Sequence, residues 1–491
     1  MTVRLKAILI SVLFLIPLIP LRAVATDYVL AIDSSESMKR ADPKALRIEA
    51  AKLFVRLLQR GDRVAVIKTS DRPELLTELQ DAESGRFSIL RALGRIGSTG
   101  ELKDIYTALK LAVSALNESN AERKIILLIS DGRMNLGSED RNEDYTLKLL
   151  DELLPECKKK GIAVYTIAFT EHSDLSLLKE IAQLTRGLFY FVDSADRLHL
   201  TITDVFSDTK LPDQITVKDM QFLIDREIKE MKVVLSRKDN KSVITLLQPD
   251  GRKVTYRRHP SHYRWNSARA YEIVSVTKPL PGPWRIINAA KDESRVFISS
   301  DLSLKITDIP RAAKGGKKQK LYVWLQDGER ILKSTPLVLR AVEFNVFLQS
   351  PDDKLYRVAL NDDGANDDDL AKDGVYTGST TPEKDGQYLV RFVATGKGFS
   401  REKSIRFYVR AVKKPEIEKK TATVSENKSK RDKNLKKKTV SEDKTDYSLR
   451  HALFKFAIFN VVLITVAGLG FGVVYFTRKR KASPEQEEAE E

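Results

Sequence analysis

The stretch Tyr28-Val29-Leu30-Ala31-Ile32-Asp33-Ser34-Ser35-Glu36-Ser37 decides the fold. Its first five residues are apolar without a break, the pattern of a strand buried on both faces of a parallel sheet. The run then gives way at once to a carboxylate and hydroxyls spaced D-x-S-x-S. Arg63–Thr69, Lys124–Ser130 and Ile162–Phe169 are further short runs rich in Val and Ile. Helical patterns lie between them at Pro43–Leu58, Arg86–Arg95, Leu102–Leu116, Tyr145–Lys159 and Leu175–Leu184. Gly61, Gly161 and Gly187 sit just past three of these, where a C-terminal glycine belongs. The alternation over residues 27–208 predicts a doubly wound, Rossmann-like α/β domain. In such sheets ligands bind at the carboxyl ends of the strands.

Asp33, Ser35 and Ser37 fall at that end. One carboxylate and two hydroxyls are hard oxygen donors and suit a hard divalent cation, Mg²⁺ first and Mn²⁺ or Ca²⁺ after it. Leu127–Ser130 runs into Asp131-Gly132 at the end of another central strand, so a parallel sheet would bring Asp131 beside the first loop. A third loop, Gly97-Ser98-Thr99-Gly100, precedes the helix that starts near Leu102. The competing reading is that Asp33 and the serines only shape a loop and cap the next helix.

These residues resemble the von Willebrand factor type A domain and its metal-ion-dependent adhesion site, over about residues 27–208 and with boundaries set at 26–208. The resemblance implies Asp33, Ser35 and Ser37 as ligands, Asp131 directly or through water, and a threonine from the intervening loop. It also implies an open coordination position that takes an acidic side chain of a protein partner. The threonine position departs from the pattern. Lys103 stands before Asp104-Ile105-Tyr106-Thr107-Ala108-Leu109, where many relatives have it. Thr99 lies four residues earlier and serves only if the loop bulges. If Lys103 points into the site instead, its ammonium opposes metal binding.

Beyond residue 213 the rhythm changes to short alternating runs separated by turns such as Pro249-Asp250-Gly251 and Pro281-Gly282-Pro283. This predicts two all-β, immunoglobulin-like sandwich units, 213–308 and 311–412, forming a stalk. Within the second, Asp362–Asp373 is crowded with aspartates and glycines. That loop either holds Ca²⁺ or is a solvated connection rich in turn formers.

The two ends of the chain set its expected location. Residues 1–25 have a basic start (Arg4, Lys6), an apolar run and Ala23-Val24-Ala25, the pattern of a cleaved secretory signal. Phe456–Phe476 carries no charge and is long enough to cross a bilayer, and Arg478-Lys479-Arg480-Lys481 follow it. A charge-rich linker, 413–450, precedes the span, and a short cytoplasmic tail, 477–491, follows. The expectation is a single-pass cell-membrane protein with its type A and β units outside the cytoplasm, in the periplasm of a Gram-negative cell. Gly468 and Gly472 have the spacing that lets two helices approach closely, which would allow a homodimer through the span; the competing reading is that glycine is simply common in membrane helices. The whole order looks like a group of bacterial membrane-anchored type A-domain proteins. Leu127–Asn135 (LLISDGRMN), Gln221–Asp225 (QFLID), Leu280–Trp284 (LPGPW) and the acidic loop carry that likeness.

Composition fits this plan. The 491 residues carry 84 Lys+Arg against 68 Asp+Glu, a formal charge of +16. The basic residues alternate with acidic ones outside the cytoplasm, so nucleic acid is not expected as a partner. One cysteine, Cys157, excludes an intrachain disulfide framework and a Cys-based metal centre. No Walker A, G-x-S-x-G or H-E-x-x-H motif is present. The expected function is therefore non-enzymatic: protein binding through a divalent metal. An envelope-organising role without functional metal is the alternative, and a metal-assisted hydrolase is the weaker one.

Overall fold

The computed structural model describes residues 25–169, 173–333 and 342–411. The signal segment up to residue 24, the linker, the apolar stretch with Gly468 and Gly472, and the tail lie outside the described residues. Among the described residues, no helix is long and apolar enough to cross a membrane.

The first domain is a six-stranded sheet in the order β3-β2-β1-β4-β5-β6. Its strands are β1 (Thr26–Asp33), β2 (Arg63–Thr69), β3 (Glu74–Asp81), β4 (Arg123–Ser130), β5 (Ile162–Phe169) and β6 (Phe189–Val192). All are parallel except β3, which pairs antiparallel with β2 through two register irregularities. Helices α1 (Met38–Ala41), α2 (Leu46–Leu57), α3 (Arg86–Leu93), α4 (Ile105–Ala115), α5 (Glu139–Lys148), α6 (Leu154–Lys159), α7 (Leu175–Leu184) and α8 (Leu198–Lys210) connect them. The alternate faces of β1 explain its unbroken apolar run. Tyr28, Leu30 and Ile32 enter one core with α2, α3 and α8, whereas Val29 and Ala31 enter another with α4, α6 and α7. The strand order reverses between β1 and β4, and that crevice is where a doubly wound sheet offers its ligand site.

The expected helix Tyr145–Lys159 begins earlier and is interrupted. A π-helical segment, Leu149–Leu153, joins α5 to α6 just ahead of Pro155. Proline has no N–H to give the preceding turn, and a widened turn accommodates it.

Among the described residues the β region holds eighteen strands. In chain order these are β7 (Asp213–Ile215), β8 (Gln221–Ile224), β9 (Ile228–Ser236), β10 (Thr245–Leu247), β11 (Lys253–Thr255), β12 (Arg264–Ser267), β13 (Tyr271–Thr277), β14 (Gly282–Ile287), β15 (Arg295–Ser300) and β16 (Leu302–Ile306), followed by β17 (Ala312–Lys314), β18 (Gln319–Asp327), β19 (Arg330–Ile331), β20 (Glu343–Gln349), β21 (Leu355–Val358), β22 (Tyr376–Thr380), β23 (Gly386–Gly396) and β24 (Phe399–Arg410). Two cores form between facing sheets, one around Trp284, Val233 and Leu246, the other around Phe392, Val323 and Ile405. The expected separate units are in fact joined. One large sheet runs β12-β13-β9-β15-β7-β24-β23-β20-β21 through both, with the short β7 bridging them at Gln214 and Glu402.

Nor do the β units form a free stalk. The sheet face that would meet solvent in an isolated sandwich carries Val234, Tyr271, Ile273 and Phe297, and these belong to the core of α2 and α8. Phe297 packs edge-on against Phe206. The Tyr271 hydroxyl donates to the Glu49 carbonyl at 2.8 Å. Lys232 reaches across to the Leu57 carbonyl at 2.8 Å, capping the end of α2. Asp208, fully buried, accepts from Tyr190 Oη at 2.7 Å and from the Arg406 guanidinium at 2.8 Å. The α/β domain and the β region therefore form one continuous packed body.

Candidate functional site

Four of the five candidate ligands meet at the carboxyl end of β1 and β4. Asp33 is completely buried. Its Oδ1 accepts from the Ser35 amide at 2.8 Å and the Ser35 hydroxyl at 2.6 Å. Its Oδ2 accepts from Ser130 Oγ at 2.6 Å. The Ser35 and Ser37 hydroxyls lie 2.9 Å apart, and Ser37 donates to Asp131 Oδ2 at 2.5 Å.

Thr99 does not join them. It is exposed, and the reason lies in the next residue. Gly100 is drawn against the first loop, its amide donating to the Ser34 carbonyl at 3.0 Å and its carbonyl accepting from Glu36 at 2.7 Å. A Cβ on Gly100 would come within 2.7 Å of Ser70. The close approach is made by glycine backbone, and the threonine turns outward.

Lys103 occupies the centre instead. Its Nζ lies 2.8 Å from Asp33 Oδ2, donates to Ser37 Oγ at 3.3 Å and pairs with Asp131 Oδ1. Its side chain is only 4% exposed. Backbone bonds in both directions between Lys103 and Asn135, 2.7 and 3.1 Å, lock it to the loop after β4. Asp104 then caps α4 by accepting from the Thr107 amide at 2.8 Å, so the helix starts at Ile105 and Lys103 stays free of it. Burial alone would raise the Asp33 carboxyl. The Lys103 charge and the hydrogen bonds from Lys103, Ser130 and Ser35 outweigh it and hold the group below the usual carboxylate range.

Two supporting residues were not read from the sequence. Arg47, fully buried on α2, donates through Nε to the Asp33 carbonyl at 2.7 Å and through a terminal nitrogen to the Gly97 carbonyl at 2.7 Å, while pairing with Asp42. It fixes the first loop against the third. Ser130 anchors the far side of Asp33. An arginine one helix turn into an apolar pattern was the available signal, since a buried charge requires partners.

Above the cluster opens a depression of about 1120 Å³, lined among others by Ser37, Arg40, Glu101, Lys103, Asp131 and Arg133. The donors beneath it do not fit a divalent ion. Mg²⁺ would need oxygens at about 2.1 Å from Asp33, Ser37 and Asp131. All three already serve one ammonium. A +2 ion about 3 Å from Nζ would be repelled on the order of 10 kcal/mol even at an effective dielectric of about 20. Among the described residues no group of three or more His, Cys, Asp or Glu is placed to hold a metal.

The acidic loop does not form a cage either. Asp362 accepts from the Asp373 and Gly374 amides at 3.1 and 3.3 Å, Asp363 from Ala365 at 3.0 Å, Asp368 from Gly364 at 2.6 Å and Asp373 from Val375 at 2.8 Å. Asp367 pairs with Lys318 at 2.6 Å. The Asp362, Asp363, Asp368 and Asp373 carboxylates point at the loop's own backbone, because tight turns leave amides that need acceptors. Cys157 is a buried free thiol on α6, and burial pushes its pKa up to about 12.

Comparison with known proteins places this architecture in a class. Residues 27–205 match the von Willebrand factor type A domain, and residues 302–407 match the second Ig-like domain of conditioned medium factor. A search of the curated proteins returned no match. Among solved structures, a von Willebrand factor type A protein from Catenulispora acidiphila aligns at 12% identity over 78% of this chain and 66% of its own, TM-score 0.33. BatB from Bacteroides thetaiotaomicron aligns at 18% identity over 37% of this chain and 98% of its own, TM-score 0.30. A proximal thread matrix protein from the mussel byssus, described with a zinc-occupied metal site, aligns at 21% identity over 37% of this chain and 45% of its own, TM-score 0.31. The chain is thus a type A domain packed onto a β region with an Ig-like unit.

Proposed function

We propose that this chain is a membrane-anchored, extracytoplasmic protein-binding module that docks a partner on the carboxyl end of its type A sheet. The observation that carries the reading is the wide depression over Ser35, Ser37 and Asp131, at the switch point of a doubly wound sheet. The likeness of residues 27–205 to the type A family supports binding rather than catalysis at that face. The exposed Arg40 and Arg133 on the rim suit an acidic side chain of the partner, and Glu36 and Glu101 beside them set its register. The secretory pattern of residues 1–25 and the uncharged run Phe456–Phe476 support a single-pass location with this face outside the cytoplasm.

A photocrosslinking residue introduced at Arg40 or Arg133 in living cells tests this. Discrete adducts are expected from both positions and none from exposed Lys241 in the β region. Adducts from Lys241 alone would shift the interaction to the β units and favour an envelope-organising role. Mg²⁺-dependent turnover of a phosphoester, lost in Asp33→Ala, would instead support a hydrolase.

A further inference from the structure

We infer that Lys103 is the resident cation of the Asp33 cluster: its ammonium holds the place of a divalent ion, and the site is closed without metal. An ammonium has three N–H donors and no acceptor. Lys103 meets three oxygens, one each from Asp33, Ser37 and Asp131. These come from the ends of two different strands. They are the oxygens that would otherwise face one another with two carboxylate charges and no counter-ion.

The arrangement is built at several levels. Lys103 is tied to Asn135 by a pair of backbone bonds, so its position is set before its side chain is considered. Its side chain is 4% exposed and cannot trade the cluster for solvent without moving that segment. The remaining oxygen valences of Asp33 are filled by Ser35 and Ser130. In the neighbouring loop Thr99 is exposed and the Ser98 hydroxyl accepts from Arg47 at 2.7 Å, so neither is placed to replace the ammonium. A tethered cation differs from a free ion in one functional respect. It cannot be chelated, and with its three donors engaged it offers no open valence to a partner's carboxylate. Partner docking at this face takes place on the rim.

Titration of the full-length chain in detergent with Mn²⁺, read by the loss of the free-ion electron paramagnetic resonance signal, tests the assignment. The native chain is expected to take up none. Lys103→Thr removes the ammonium, supplies a hydroxyl and is expected to bind one equivalent, lost again in Lys103→Thr/Asp33→Asn. Asp33-dependent Mn²⁺ uptake by the native chain would overturn the inference, as would a folded Lys103→Thr chain that binds none. If Lys103→Thr does not fold, crystals of the native chain grown with Mn²⁺ decide it. An anomalous peak among Asp33, Ser37 and Asp131 refutes the assignment, and the lysine side chain in that place upholds it. None of these outcomes depends on whether a partner binds.

Discussion

The chain contains two oxygen-rich loops that read alike as cation sites, Asp33–Ser37 and Asp362–Asp373, and the fold treats them in opposite ways. In the first, oxygens from distant segments converge on one point and are neutralised by an ammonium from a third. In the second, the carboxylates turn back onto amides of the same loop. Both resolve carboxylate crowding, but only the first builds a shared centre. Convergence from separate elements, more than density of acidic residues along the chain, makes a site.

The sharpest way to break this comparison is to delete one member of each. Asp33→Ala leaves the Lys103 ammonium buried beside a single carboxylate and strips Ser35 and Ser130 of their acceptor. Removing one partner of a buried ion cluster costs about 3–5 kcal/mol. A drop of that size in urea-unfolding free energy is expected. Lys103→Met should cost a similar amount, since it leaves Asp33 and Asp131 facing each other. A loss below about 1 kcal/mol for both would mean the cluster is not a shared centre at all.

Acid unfolding sharpens the comparison by separating both loops from a third site, the junction of the type A domain with the β region. His199 on α8 is nearly buried there, with ring nitrogens 3.0 Å from the Asp196 carbonyl and 2.7 Å from Ser236 Oγ, and stacked on Tyr271. Burial lowers its pKa to about 4; the Asp196 carbonyl opposes that shift, Arg197 and Arg295 add to it, and the Asp196 carboxylate partly offsets them. The unfolded chain takes the proton below about pH 6.5 while the folded chain stays neutral until about 4. Stability from this residue is thus complete above 6.5 and falls between 6.5 and about 4, by about 3 kcal/mol at most. His199→Gln should flatten the fall in that window when melting temperature is followed against pH. An unchanged slope would assign the acid sensitivity to the carboxylate loops.

A smaller effect is expected in the acidic loop. Asp368 is mostly buried and holds the Gly364 amide at 2.6 Å and Thr377 Oγ1 at 3.4 Å. Asp368→Ala leaves these donors without an acceptor and should cost about 1–2 kcal/mol. A cost equal to that of Asp33→Ala would erase the distinction between a local cap and a convergent centre.

Much of this was legible before the structure. β1, β2, β4 and β5 are buried on both faces, and their unbroken apolar runs say so. β3 was not, because it is a half-exposed antiparallel edge whose irregular pairing erases any clean alternation. The meeting of Asp33, Ser35, Ser37 and Asp131 follows from strand order, so spacing sufficed to anticipate it. The direction of Thr99 depended on the close approach of Gly100, and the insertion of Lys103 on its backbone pairing with Asn135. Lys103 at the threonine position raised its insertion as an alternative, but the contacts that decide both outcomes are tertiary and no local pattern encodes them. The fusion of the two β units likewise rests on β7, a three-residue strand too short to announce itself.

The least effect should come from calcium itself, and it bears most directly on why the two loops differ. A Ca²⁺ site needs six to eight oxygens directed at one point. In Asp362–Asp373 the oxygens of Asp362, Asp363, Asp368 and Asp373 are directed at separate amides, so a bound ion would have to unmake the turns that place them. Adding millimolar Ca²⁺ to the full-length chain should therefore leave the melting temperature unchanged, and Asp363→Ala should leave it unchanged as well, since Asp363 holds a single exposed amide. A saturable rise in melting temperature with Ca²⁺, lost in Asp368→Ala but kept in Asp33→Ala, would show that the loop reorganises into a cage, and that density of carboxylates along a chain can after all substitute for convergence.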